Sequence, residues 1–155
     1  MIDIDRESLI ALARGATPVA EVERRLVKEG LTLGLSVPTD ASVADWLAEG
    51  APGAAAPWDD PADHLVAGFS AHFPDGRLLE VRPAPRRSVG PDLFALVLGQ
   101  RHRYVRVVEA WLRVHPIAGR RPRAPFVAPV APEPNDGERA LMDVIARELA
   151  HLPET

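Results

Sequence analysis

The chain lacks cysteine altogether and is poor in aromatic residues and in lysine. The absence of cysteine excludes disulfides, thiolate metal sites and cysteine nucleophiles, and nothing argues for an oxidising compartment. Aromatic residues make up 5% of the chain against 46% hydrophobic residues, so leucine, valine and alanine must build most of the core. At 155 residues, the chain is long enough for one globular domain with a real core.

A long hydrophobic run is also missing. The first residues, MIDIDRESL, are acidic and carry no apolar segment typical of a signal peptide. The longest apolar runs are far shorter than the roughly 20 residues that a membrane helix needs. We therefore expect a soluble, cytoplasmic protein that has no membrane partner.

Positive charge is concentrated in the middle of the chain, although the net formal charge is −4. Residues 82–123 hold ten arginines and two acids, whereas residues 1–63 hold twelve acids and five bases. Few stacking aromatics accompany the arginines, which favours solvated strand faces, but an anion or nucleic-acid surface stays open. The arginines that such a surface would use are Arg86, Arg87, Arg101, Arg103, Arg106, Arg120, Arg121 and Arg123.

Helix caps and apolar spacing predict four helices. In the first, Thr17 is the N-cap, Pro18 occupies the first helical position and Gly30 ends the helix. The last helix, residues 137–152, is amphipathic. Its apolar stripe consists of Leu141, Val144, Ile145, Leu149 and Leu152. The other two predicted helices are residues 43–49, capped by Ser42, and residues 92–98, ended by Gly99.

Alternating and short apolar segments predict the strands of a mainly antiparallel sheet. The sequence Pro74-Asp75-Gly76 predicts the turn of a hairpin. In the last strand the apolar phase shifts between Val107 and Val108, which predicts a β-bulge that keeps both apolar sets buried. The predicted strands are residues 8–13, 31–35, 64–73, 77–82 and 102–114. Together with the helices, they predict an α+β fold in which helices flank the sheet.

No catalytic motif is evident. The chain has neither a GxxxxGK[ST] nor a GxGxxG phosphate loop, and it has no GxSxG nucleophile elbow. His64 and His72 share a predicted strand face but lie about 26 Å apart, too far to bind one metal ion. The aspartates at positions 59, 60 and 63 fit no calcium loop and are interpreted as a solvated turn. We therefore predict no catalytic residue and no metal site.

Three segments carry motifs in a recognisable order. Residues 6–35, RESLIALARGATPVAEVERRLVKEGLTLGL, predict a strand, a Gly-x-Thr turn, a helix and a Gly-Leu-x-Leu sequence. Residues 63–82, DHLVAGFSAHFPDGRLLEVR, contain a Val-x-Gly step that leads to Pro-Asp-Gly-Arg. Residues 90–116, GPDLFALVLGQRHRYVRVVEAWLRVHP, contain a Gly-x-Asp-Leu helix and a strand. In this order, residues 6–116 resemble FAD-linked oxidases of the vanillyl-alcohol-oxidase (PCMH) type.

The resemblance implies one particular part of that family's architecture. The chain would be the second lobe of the FAD-binding domain, without the first lobe that holds the FAD pyrophosphate and without the substrate-binding cap. It also implies a division of the chain into residues 1–117, an α+β half-domain; residues 118–136, a proline-rich linker or strap; and residues 137–155, the C-terminal amphipathic helix.

The positions that would face the flavin depart from the family pattern. Val43, Ala44 and Asp45 stand where the family has Val-Gly-Gly. Side chains there obstruct close approach, and Asp45 adds a negative charge near an anionic cofactor. Only the first glycine of the family's Gly-Ser-Glu-Gly-Thr-Leu-Gly turn is kept. The residues in its place are Gly99, Gln100, Arg101, His102, Arg103, Tyr104 and Val105.

These departures favour a non-catalytic domain that serves as a protein-interaction or scaffold module, with a protein partner or a second copy of the chain covering its exposed surface. On this hypothesis FAD binds only if a partner supplies the pyrophosphate-binding lobe. The alternative is a subunit of a split FAD-linked oxidoreductase, and a minor alternative is binding of anions or nucleic acid. The partner-binding candidates are Leu141, Val144, Ile145, Leu149, Arg101, Arg103 and Tyr104.

Overall fold

The computed structural model describes residues 2–36, 39–54, 65–83 and 93–118, together with seven helical positions between 136 and 147. In chain order, the elements are β1 (Ile2–Asp5), β2 (Ile10–Arg14), α1 (Val19–Lys28), β3 (Leu31–Thr32), α2 (Val43–Ala48), β4 (Val66–His72), β5 (Leu78–Val81), a 3₁₀ turn (Leu93–Leu96), β6 (Arg106–Arg113) and β7 (His115–Pro116).

One five-stranded sheet organises the fold. Its strands lie in the order β1-β2-β6-β4-β5, and all neighbouring strands are antiparallel. β3 and β7 form a separate two-stranded antiparallel pair. The predicted α+β class with a mainly antiparallel sheet is therefore confirmed.

The core contains residues from the sheet and from both helices. Trp46 from α2 and Phe69 from β4 are the largest fully buried side chains, and the Trp46 indole Nε1 donates a hydrogen bond of 2.9 Å to the carbonyl oxygen of Pro52. Most other core residues are aliphatic, as the composition requires. The predicted apolar face of α1 is buried through Val19, Val22 and Leu26.

α1 begins one residue later than predicted. Pro18 is itself the N-cap residue, with φ −60° and ψ 136°, and no side chain caps the helix. The amides of Val19 and Ala20 donate instead to the carbonyl oxygens of Ala41 and Thr39. The next segment of backbone thus satisfies amides that a side-chain cap would otherwise satisfy.

The helix ends predicted at Gly30 and Gly50 are confirmed, and Gly99 has the same backbone conformation. Gly30, Gly50 and Gly99 all have left-handed backbone, with φ values of 74°, 86° and 72°. Glycine tolerates this conformation at low steric cost. The predicted capping of α2 is confirmed as well, because the Ser42 hydroxyl accepts a hydrogen bond from the Asp45 amide.

The strand predicted over residues 8–13 is wrong at its start. Residues 6–9 form a turn between β1 and β2, and the Asp5 carboxylate accepts hydrogen bonds from the amides of Glu7 and Ser8 within it. The strand predicted over residues 31–35 is shorter than expected. It ends at Thr32, and the amide of Leu33 donates to the Glu23 carboxylate of α1 at 2.8 Å.

β4 is buried more completely than its alternating sequence predicts. All its residues except His72 are buried, so its two faces do not separate into an apolar and a solvated side. The ladder to β6 passes directly from Val66 to Gly68, which leaves Ala67 as an extra residue. A Cβ at Gly68 would overlap the backbone of residues 81–83 beside it. A glycine is needed at this point of close backbone approach.

The predicted β-bulge in β6 is confirmed. Ser70 pairs with Glu109 and Ala71 pairs with Val107, so Val108 is left without a ladder partner. Val107 is buried as expected, but the expectation for Val108 is wrong, because it is 40% exposed. The side chain of an unpaired bulge residue can point away from the core while the side chains of its neighbours keep their direction.

Two predictions on either side of Gly99 need correction. The helix predicted over residues 92–98 is a single 3₁₀ turn at Leu93–Leu96 within the described residues. The strand predicted from His102 begins only at Arg106. Residues 100–104 form a turn, because Arg101 and His102 have φ values of 49° and 60°, which no β-strand accommodates.

Several predictions fall outside the described residues. They concern the aspartate cluster at positions 59, 60 and 63, the proline-rich segment 119–135, and Leu141, Ile145, Leu149 and Leu152 of the C-terminal stripe. The predicted division into three segments stays a prediction. In the part of the chain that is described, no helix has the length and apolar character needed to cross a bilayer.

Candidate functional site

The candidate site is the contact between α2 and the turn of residues 99–104, where the resemblance places the flavin. Ser42, at the start of α2, bonds to Asp45 twice: its hydroxyl accepts from the Asp45 amide at 3.1 Å and donates to the Asp45 carboxylate at 2.6 Å. The preceding amides of Val43 and Ala44 donate to the carbonyl oxygens of Thr17 and Gly15. The first three amides of α2 therefore already have acceptors within the chain.

The other end of α2 is capped by the turn. The amides of Gly99 and Arg101 donate to the carbonyl oxygens of Leu47 and Ala48, at 3.1 and 2.9 Å. Carbonyls at the end of a helix lack partners in the helix itself, so these bonds satisfy them and attach the turn to the helix. Gly50 is close to Gly99, because a Cβ on Gly50 would lie 3.8 Å from the Gly99 Cα.

The turn has an unusual backbone for its sequence. Arg101 and His102 both adopt left-handed φ values, which disfavour residues that carry a Cβ. Below them, Tyr104 and Val97 are buried, at 7% and 3% exposure. Surrounding contacts must hold such a backbone in place, since each left-handed residue of this kind costs on the order of 1 kcal/mol.

Three consecutive basic residues of the turn each contact an acid from another part of the chain. We call Arg101, His102 and Arg103 the basic triplet. Arg101 Nε lies 3.5 Å from the Glu49 carboxylate, His102 Nε2 lies 2.7 Å from Asp45 Oδ1, and Arg103 Nη2 donates to Asp143 Oδ1 at 2.6 Å. The triplet thus connects the turn to both ends of α2 and to the C-terminal helical residues.

Neighbouring side chains stabilise the negative charge of the Asp45 carboxylate. The hydrogen bond from Ser42 contributes most to holding the pKa of the Asp45 carboxyl below its ordinary value of 3.8, followed by the hydrogen bond from His102. The positive charge of Arg106 acts in the same direction. Asp45 is therefore an anion at neutral pH, and both of its oxygens are engaged by neighbouring side chains.

This arrangement does not form a catalytic triad. In a serine nucleophile the hydroxyl bonds to histidine, which accepts its proton, whereas the Ser42 hydroxyl bonds to the carboxylate. Nor do the described residues contain three clustered histidine, aspartate or glutamate side chains that could hold a metal ion. The contacts of Ser42, Asp45 and His102 join two structural elements and provide no nucleophile.

FAD does not fit this surface as it is built. An anionic cofactor would meet the Asp45 carboxylate, and the first amides of α2 are already bonded to other groups. Val43 and Ala44 are buried, while Arg101, His102 and Arg103 extend from the turn. We therefore assign no step to a flavin in this chain.

The predicted site residues fall into three groups. Asp45, Gly99 and Arg101 lie at the contact between α2 and the turn. Val43 and Ala44 belong to the same helix as Asp45, and Gln100 belongs to the turn. Arg103 reaches Asp143, and Tyr104 is buried. Val144 is 43% exposed in the C-terminal helix, and its partners in the predicted stripe are not described.

Sequence reasoning missed the acids that complete the site. Glu49 and Asp143 lie 52 and 40 positions from their arginine partners, and no spacing rule connects them. A cap signal pointed to Ser42, but the link from Asp45 to His102, over 57 positions, had no local signal.

Known proteins are similar to this chain in sequence and in fold. The chain is 25% identical over 116 residues to YgcU, an uncharacterized FAD-linked oxidoreductase of Escherichia coli K12, covering 74% of this chain and 24% of that protein. The YgcU protein of E. coli O157:H7 gives the same figures. The chain thus spans about a quarter of the length of these curated relatives. No family model matches it.

Solved structures support the fold independently. Two structures of alkyldihydroxyacetonephosphate synthase, in crystal forms P212121 and P1, superpose with TM-scores of 0.59 and 0.58. The sequences are 23% and 24% identical, and the match covers 74% of this chain and about a fifth of the synthase, 20% and 21%. Over three quarters of its length, the chain therefore shares the fold of the matching part of that synthase.

Proposed function

We propose that the chain is a degenerate second lobe of an FAD-oxidase-like domain, closed at its flavin-facing surface by its own turn, and that it serves as a non-catalytic interaction module. The observation that carries the proposal is the contact between His102 and Asp45 at 2.7 Å. It joins the two elements between which, by the resemblance, a flavin would need open space.

Two further features support closure over cofactor binding. The first amides of α2 bond to Ser42 and to the backbone of residues 15–17, so they are not available to an anionic ligand. Arg101 and His102 both have left-handed backbone, and both carry large side chains. If a cofactor had to approach this backbone closely, glycine would be favoured at these positions.

The interaction role is supported at the C-terminal helix. Asp143 bonds to Arg103, which attaches that helix to the closed surface, and the neighbouring Val144 is 43% exposed. We propose that the predicted stripe of Leu141, Ile145 and Leu149 continues the apolar surface, and that a protein partner or a second copy of the chain covers it.

The closure is tested by the absorbance spectrum and the melting temperature of the purified chain, with and without FAD. We expect a colourless protein whose melting temperature does not respond to FAD. A true ligand at a hundredfold excess over its dissociation constant would stabilise the fold by about 2.7 kcal/mol, which melting would detect. A yellow protein, or such a stabilisation, would refute the closure.

A variant with an opened site makes this test sharper. The substitutions Asp45→Gly, Arg101→Gly and His102→Gly together remove the anion and two of the side chains. If this variant binds FAD and the natural chain does not, the side chains are the obstacle. The matched control changes Glu80, Arg77 and Arg82 to glycine on the distant hairpin, where no flavin response is expected.

The interaction role is tested at the tail stripe by Ile145→Asp, followed by sizing and melting. We expect a loss of stability or of an oligomer, because a charge in an apolar contact is costly. The control is Ala140→Asp at an exposed position of the same helix. If Ile145→Asp and Ala140→Asp behave like the natural chain, the stripe is not in a contact.

A split flavoenzyme is the second candidate, and the similarity to an FAD-linked oxidoreductase over 74% of the chain favours it. On this view another polypeptide supplies the pyrophosphate-binding lobe. Co-expression with such a partner would then yield a yellow complex, whereas the main proposal expects none. Binding of nucleic acid is disfavoured, because the arginines of the basic triplet contact acids of the chain itself.

A further inference from the structure

α1 presents cations that are not neutralised as those of the turn are. Within the described part of the chain, the side chains of Arg24 and Lys28 form no ion pair and no hydrogen bond. The acids next to them in sequence are engaged elsewhere: the two oxygens of Glu23 bond to the Thr32 hydroxyl and the Leu33 amide, and Glu29 pairs with Arg6. Arg25 differs, because the pKa of the Glu29 carboxyl is lowered first by the hydrogen bond and charge of Arg6 and then by the charge of Arg25.

An apolar groove runs along the same side of α1. It has a volume of about 540 Å³, and its lining contains apolar residues, two cations and the Glu23 carboxylate: Ala20, Glu23, Arg24, Val27, Lys28, Leu35 and Thr39. Val27 is 51% exposed, although valine is usually buried. A second hollow of about 360 Å³ also borders Arg24 and Lys28, so these two cations lie between both hollows.

The helix dipole explains only part of this arrangement. Cations near a helix C-terminus are favourable, and Lys28 is in the last turn of α1. The dipole does not account for the exposed valine or for the concave apolar surface beside Arg24. Together, apolar lining and unpaired positive charge complement a ligand that combines apolar side chains with carboxylates.

We propose that this groove binds an acidic amphipathic segment of a partner protein. Apolar side chains of that segment contact Val27 and Leu35, and its carboxylates pair with Arg24 and Lys28. This inference is independent of the closed flavin-facing surface, since α1 contributes no residue to the basic triplet or to its acidic partners.

Other occupants fit the groove less well. A membrane-binding surface generally carries roughly four to eight basic residues. This groove is flanked by two unpaired cations, Arg24 and Lys28. Single-stranded nucleic acid stacks on aromatic side chains, and the groove lining contains none. A second copy of the chain would have to supply the acids itself, which makes self-association a distinct outcome of the test.

The probe is a fluorescein-labelled synthetic helix with leucine at positions i, i+3, i+4 and i+7 and glutamate elsewhere on its surface. Its counterpart has lysine in place of glutamate. We expect fluorescence anisotropy to detect binding of the acidic peptide only. The affinity should fall at least about tenfold between 0.01 and 1 M salt, since the screening length shortens from about 30 to about 3 Å.

Surface variants locate the binding. We expect the double variant Arg24→Glu with Lys28→Glu to lower the affinity for the acidic peptide by about tenfold or more. We expect Val27→Glu alone to do the same. The matched controls are Arg82→Glu with Arg139→Glu, which reverse two exposed charges whose partners lie outside α1, and Leu78→Glu, which alters another exposed apolar residue. Circular dichroism would verify that every variant is folded.

Several outcomes would overturn the proposal. They are equal affinity of the groove and control variants, equal binding of the lysine peptide, and absence of acidic-peptide binding at low salt. Stronger, groove-dependent binding to anionic phosphatidylglycerol vesicles or to single-stranded DNA would assign the surface to those ligands instead. A dimer that dissociates only in the groove variants would assign it to a second copy of the chain.

Discussion

The basic triplet and the cations of α1 consist of similar side chains but differ in whether those side chains are paired with acids of the chain. In the turn, each of three consecutive basic residues contacts an acid from a distant segment. On α1, Arg24 and Lys28 have no such partner among the described residues and border an apolar groove. Basic residues that are paired within the chain fix its structure, whereas unpaired ones leave their charge available to another molecule.

The turn and α1 also differ in backbone strain. The turn holds Arg101 and His102 at φ values of 49° and 60°, so its contacts must offset an unfavourable conformation. α1 is a regular helix whose buried face already provides its stability through Val19, Val22 and Leu26. Substitutions in the turn should therefore change the fold's stability, and substitutions on the exposed face of α1 should not.

The largest difference is expected between Tyr104→Ala and Val27→Ala. Tyr104 is buried beneath the turn, and loss of a buried aromatic ring costs about 3 kcal/mol. Val27 is half exposed, so its change should stay within about 0.5 kcal/mol. Urea unfolding measures both. Similar values for the two variants would mean that the turn is not anchored as described.

A double-mutant cycle on His102 and Asp45 should give a coupling of about 0.5–1 kcal/mol, because the pair is well aligned but partly exposed. The comparison cycle on Glu21 and Arg24, neighbours on α1 that form no ion pair, should give a coupling of at most about 0.3 kcal/mol. A His102–Asp45 coupling as small as that of the control pair would show that the contact does not hold the turn.

Arg101→Gly should stabilise the chain by about 0.5 kcal/mol. The substitution relieves the left-handed backbone, and the lost contact to Glu49 is long and exposed. Arg103→Gly is the control: position 103 is outside the left-handed region, and the Asp143 contact is lost, so we expect destabilisation. Thermal unfolding compares them, and two equal losses would argue against strain at position 101.

The smallest effect is the pH dependence of Asp45. Its pKa is lower in the folded chain than its ordinary value of 3.8, because of Ser42 first and His102 second. The folded state therefore binds this proton less readily than the unfolded state, and the stabilisation is present above about pH 4 and lost as the pH falls below it. Asp45→Asn should remove this part of the dependence. An unchanged acid slope in that variant would contradict the assignment.

Local patterns predicted the parts of the fold that have local causes. The apolar spacing of α1, the Ser42 cap, the glycine helix ends and the bulge at Val108 all follow from neighbouring residues. The burial of both faces of β4 and the exposure of Val108 depend on which elements lie beside the sheet. Turn formation after Gly99 was missed because residues 101–105 have the composition of a strand.

The sequence by itself determined an α+β chain with an antiparallel sheet and aliphatic packing, since propensity and caps act over short distances. Only the tertiary structure decided which acids meet the basic triplet and which cations of α1 stay unpaired. Glu49, Asp45 and Asp143 reach their partners across 40 to 57 positions of chain. Such pairing depends on how the elements pack, and no local pattern encodes it.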